Sequence, residues 1–140
     1  MQPATFPAGA PAADVIGAGV RLTIGDTEQT LRMYRDILGF QPHVGSFARN
    51  EGYGALTGLN AEVKLTTGQV PGEPRLTCEF AEFRGVERKP LATRIQDPGS
   101  MKFQFVVRDL DAAAAKLSKA GGTVVSVGGQ QVNLGAAVSM

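Results

Sequence analysis

The chain has one cysteine, one histidine and no surplus of either charge. With Cys78 alone, no intramolecular disulfide can form, and C-x-x-C metal or redox chemistry is excluded. Lysine and arginine number 14 against 13 aspartates and glutamates, for a net charge of +1. A non-specific nucleic-acid or membrane-surface binder needs a basic excess to neutralise phosphates, so neither partner is expected. The sequence has no run of about 18 apolar residues, which argues against a transmembrane helix. Its opening lacks the basic and apolar regions of a signal peptide. The expectation is a soluble protein, either cytoplasmic or exported with its signal already removed.

What is present suits an ordinary globular core. Of 140 residues, 43% are hydrophobic and 19% charged. That fits one domain or two small, mutually dependent halves, with no metal or disulfide needed as a staple. Residues 1–17 are rich in Pro, Ala and Gly. They read as a flexible arm with polyproline character, or as the tail left by a removed secretion signal.

Val20, Leu22 and Ile24 alternate with Arg21 and Thr23, the period of a strand with two unlike faces. Asp26 can cap a helix, and Gln29 three residues on completes a capping-box signal. Leu31, Tyr34 and Leu38 share a helical face, and Gly39 suits the stop. A second strand is expected over Phe40–Phe47, a short one over Gly54–Leu56, and longer ones over Glu62–Thr67 and Arg75–Phe83. Residues 84–100 read as a linker.

The pattern then restarts at a remove of about 83 residues. Phe103, Phe105 and Val107 alternate, Asp109 is a second cap, and Leu110, Ala113, Ala114 and Leu117 form a stripe. Gly121 and Gly122 end it, and Thr123–Val127 is β-branched. This is an internal duplication: a first βαβββ unit over 18–83 and a second over 101–140. By analogy the second unit wants at least one further strand, and its open edge would recruit one, predicting a homodimer.

At these residues the chain resembles the vicinal oxygen chelate superfamily, also called the glyoxalase/bleomycin-resistance/dioxygenase superfamily. VRLTIGDTEQTLRMYRDILGF resembles its opening, and RIQDPGSMKFQFVVRDLDAAAAKLSKAGGTVVSV its second module. The resemblance implies an α+β fold of paired βαβββ modules, their sheets curled around a concave site. It implies a divalent metal held by four side chains, acting as a Lewis acid on a chelated substrate. The implied ligand positions are poorly filled here. Counting back from the two capping aspartates gives Gly19, which has no side chain, and Lys102, which has donors only. Glu79 aligns with the third position, Glu82 being the less favoured register, and the fourth falls in the strand still wanted.

Two functions follow as expectations. The first is a domain with a degenerate metal site that binds a small organic molecule. The second is a metal-dependent lyase, isomerase or dioxygenase with non-standard ligands, for which His43 is a substitute. No cofactor is firmly expected, and a divalent metal is possible. Lys102 is a candidate to pair with Glu79 in place of metal. His43, Phe103 and Phe105 are pocket candidates, and Phe47, Tyr53 and Phe80 could line a pocket too, although strand and core roles suit all of them as well. Cys78 reads as a small buried hydrophobe. Gly17, Gly19 and Gly25 have the wrong spacing for a dinucleotide loop.

Overall fold

The computed structural model describes residues 17–89, 93–94, 96–98, 100 and 103–129. Its sheet contains β1 (Ala18–Ile24), β2 (His43–Val44), β3 (Ala48–Arg49), β4 (Glu62–Val70) and β5 (Glu73–Arg84). The helices are α1 (Thr27–Tyr34), α2 (Glu51–Thr57) and α3 (Leu110–Lys119). The sheet is mixed. β1 runs parallel to β5, β4 is antiparallel to β5, and β2 and β3 both pair antiparallel with β4. This is the α+β, βαβββ arrangement that the first unit predicts, with α2 added. Among the described residues no helix is long and apolar enough to cross a membrane.

Alternation in β5 sorts its side chains onto two faces. Cys78 and Phe80 are fully buried under α1, together with Leu31, Tyr34 and Phe40. Ala81 and Phe83 face the other way and pack with Tyr53 of α2 and Val63 of β4. The sheet therefore separates two apolar clusters, one under each of α1 and α2.

Local chemistry fixes α1. The Asp26 carboxylate accepts from the Gln29 backbone N–H at 2.6 Å, as the capping signal predicts. The α-helix ends at Tyr34, and turns carry the chain to Gly39, whose φ of 78° suits glycine. Glu82 ties the start of α1 to β5. Its carboxylate accepts from the Thr27 backbone N–H at 3.0 Å and hydroxyl at 2.6 Å, and pairs with Lys64 at 2.8 Å.

Four strand expectations change. Gly54–Leu56 lies inside α2, which Asn50 caps by accepting from the Tyr53 N–H at 3.0 Å and Gly58 closes with φ 70°. Phe40–Phe47 forms only the two-residue β2, because the chain then crosses tightly over β4. The Gly45 N–H reaches the Leu65 carbonyl at 2.9 Å, and a Cβ at Gly45 would come within 2.6 Å of that oxygen. In the second unit, α3 forms behind its Asp109 cap. Residues 103–107 and 123–127, however, pair with no strand among the described residues.

Candidate functional site

The register places four polar residues in one row. His43 on β2 stands opposite Thr67 on β4, Thr67 opposite Glu79 on β5, and Glu79 opposite Arg21 on β1. Directly opposed residues share a face, and this is the α2 face. The next row along β4, β5 and β1 is Gln69, Thr77 and Gly19. Glu79 and Gly19 thus share a face but are not opposite one another. His43 is two strands from Glu79, a backbone separation of about 9–10 Å.

Glu79 is already engaged. Its Oε1 pairs with Arg21 Nε and also accepts from the Tyr53 hydroxyl. The Arg21 guanidinium lies 4.7 Å from the centroid of the Tyr53 ring, a cation–π contact that closes the triangle. The Glu79 side chain is 19% exposed and that of Arg21 48%. Solvent therefore reaches the cation more readily than the carboxylate. Sequence reasoning left Arg21 out of the site and had Tyr53 only among the aromatics that could line a pocket, with core packing as its default. Arg21 does sit on the polar face of β1, but only the β1–β5 register shows its partner.

Burial raises the Tyr53 phenol well above its ordinary value of 10.0, and the carboxylate it donates to adds to the rise. Burial also raises Tyr34, aided by Cys78. These are the chain's two tyrosines. In a native ultraviolet titration, phenolate absorbance is expected to stay well below half-maximal at pH 10.0, where ordinary tyrosine is half ionised. Because the folded-state values are raised, the stability these phenols add is fully present below pH 10.0. It is lost as pH climbs from there through the folded values. Half-ionisation at the ordinary midpoint would contradict the Tyr53–Glu79 bond.

The other sequence candidates scatter. His43 is exposed and lines an open cleft of 710 Å³ with Thr67, Gln69 and Thr77. Phe103 and Phe105 lie on the opposite face of the sheet, against the α1 cluster. Phe105 meets Tyr34 and Phe40 edge-on at 6.2 and 5.9 Å between ring centroids. Both phenylalanines line a 470 Å³ apolar cavity between α1 and α3. Their alternation reports burial under α1 and not a place beside Glu79. Lys102 lies outside the described residues, and among those described the cation beside Glu79 is Arg21. Cys78 is fully buried, and burial pushes its thiol up to about 11.

A model of the Glyoxalase/Bleomycin resistance protein/Dioxygenase superfamily matches residues 18–138. The chain belongs to this superfamily. A solved glyoxalase family protein from Bacillus cereus has the same fold, with a TM-score of 0.71 at 16% identity. The alignment covers 83% of this chain and 79% of that one. No curated protein matches the chain.

Superfamily members often use a divalent metal, and the described residues fit one poorly. Gly19 offers no donor atom. Glu79 is neutralised by a guanidinium, which would repel a cation brought to the same oxygen. Among the described residues, no group of three or more His, Cys, Asp or Glu side chains could hold a metal ion.

Proposed function

We propose that this glyoxalase-superfamily domain binds a small organic molecule on the α2 face of its sheet through charge and hydrogen bonding, without a metal at Glu79. The observation that carries the reading is the Arg21–Glu79–Tyr53 triangle. It occupies the carboxylate that a metal would need, and it presents a half-exposed guanidinium instead. An arginine held by a carboxylate and an aromatic ring is pre-organised, so little of its rotamer freedom remains to be lost on binding. A metal-dependent lyase, isomerase or dioxygenase would require Glu79 to exchange both of its present partners for the ion. Self-association belongs to the same reading, since Val106 and Val125 are 97% and 74% exposed.

A fragment screen by ¹H–¹⁵N NMR on chelator-treated protein tests it. Binders are expected to shift the amides of Arg21, Thr67 and Glu79 equally with or without added Mn²⁺. Arg21→Gln should weaken them by at least about tenfold. Binding that appears only with the metal would contradict the proposal.

A further inference from the structure

Beside the triangle lies a 270 Å³ cavity whose walls include Arg21, Tyr53, Leu56, Phe83 and Arg88. We infer that the ligand of this face is a small carboxylate with a compact apolar body, its head on Arg21 and Arg88 and its body against Leu56 and Phe83. This assignment rests on the metal-independent reading above and narrows it to a ligand class.

The cavity has a polar end and an apolar end. Arg21 uses its Nε for Glu79, and no hydrogen bond among the described residues occupies its two terminal nitrogens. Those nitrogens form a planar fork that matches the two oxygens of a carboxylate. Arg88 donates through Nη1 to the Gly25 carbonyl at 3.0 Å, a neutral acceptor. Glu87 also lines the cavity, but it is offset by Lys89 at 3.5 Å. Glu79 offsets Arg21 in the same way. Of the charges lining the cavity, that of Arg88 is the one without an anionic partner among the described residues, so the cavity as a whole favours an anion. Its volume lies below the usual range of about 300–1,000 Å³ for drug-sized ligands, which sets the body at roughly one ring.

Benzoate and its uncharged counterpart benzamide, titrated into the full metal-free chain and followed by ¹H–¹⁵N NMR, test the assignment. Benzoate is expected to shift the Arg21, Thr23 and Tyr53 amides, and benzamide to bind at least about tenfold more weakly. Arg21→Lys keeps the charge and removes the fork, and should weaken benzoate by about tenfold. Arg88 is exposed, so Arg88→Gln leaves the core intact. It should weaken benzoate about three- to tenfold and leave benzamide unchanged.

Equal binding of the two probes in the cavity would overturn the carboxylate assignment while leaving the metal-independent site standing. So would benzoate binding that ignores Arg88→Gln, or shifts that map elsewhere. No saturation by about 50 mM, weak even for so small a molecule, would overturn it too. Benzoate binding that appears only with added Mn²⁺ would overturn both readings.

Discussion

Phe80→Ala is expected to lower the unfolding free energy by about 3–5 kcal/mol, the range for deleting a fully buried aromatic ring. Phe80 is 0% exposed and lies 4.6 Å from Tyr34 between ring centroids. Its backbone is held on both sides, opposite Leu22 of β1 and Thr66 of β4. Strands locked in this way relax little, so most of the cavity left by the ring would persist. A domain stable by about 5–15 kcal/mol would lose a large share of its stability. Urea unfolding followed by far-ultraviolet circular dichroism reads the change. A loss under about 1 kcal/mol would mean that Phe80 is not at the centre of this core.

Glu82→Ala should cost about 2–4 kcal/mol, because it strands two kinds of partner at once. Thr27, 1% exposed, loses the acceptor for both its backbone N–H and its hydroxyl. The backbone N–H belongs to the first turn of α1, where a carboxylate is also favoured by the helix dipole. Lys64, whose side chain is 18% exposed, loses its counter-ion and keeps the Phe47 ring at 4.7 Å. Burial by itself would raise the Glu82 carboxyl, but the bonds from Lys64 and Thr27 outweigh it and hold the group below its ordinary 4.5. The stability this contributes is therefore present above pH 4.5 and is lost as pH falls through the lower, folded-state value. The gap between Glu82→Ala and the parent should shrink in acid for that reason. A gap that is unchanged at low pH, or a cost near zero, would refute the bridge.

Much of the frame was legible because it obeys simple periods. The alternation of Val20, Leu22 and Ile24 marked β1, and Cys78 and Phe80 marked the buried face of β5. Asp26 and Asp109 announced their helices by the same local hydrogen bond. The failures share a cause, which is that pattern reports burial and not partners. Phe103 and Phe105 alternate as a strand does, yet they pack under α1 with no ladder among the described residues. α2 was hidden by Gly52 and Gly54, poor helix formers, and the structure shows Asn50 and Gly58 as its two caps.

The site was the least legible part. Glu79 could be singled out by its alignment, but its partners depend on register and on α2. Arg21 meets it only because β1 runs parallel to β5 with Val20 beside Cys78. Tyr53 meets it only because residues 51–57 coil into a helix over that face. Sequence reasoning expected a cation at Glu79 and sought it at Lys102. Lys102 lies outside the described residues, and among those described Arg21 meets the requirement from the adjacent strand.

A titration with paramagnetic Mn²⁺, read as residue-by-residue broadening of amide signals, asks most directly whether Glu79 belongs to Arg21 and Tyr53 or to a metal. The account predicts no selective broadening of Glu79, Arg21 and Thr77 at one equivalent of Mn²⁺. Selective broadening centred on Glu79 at one equivalent, removed by Glu79→Ala, would contradict it.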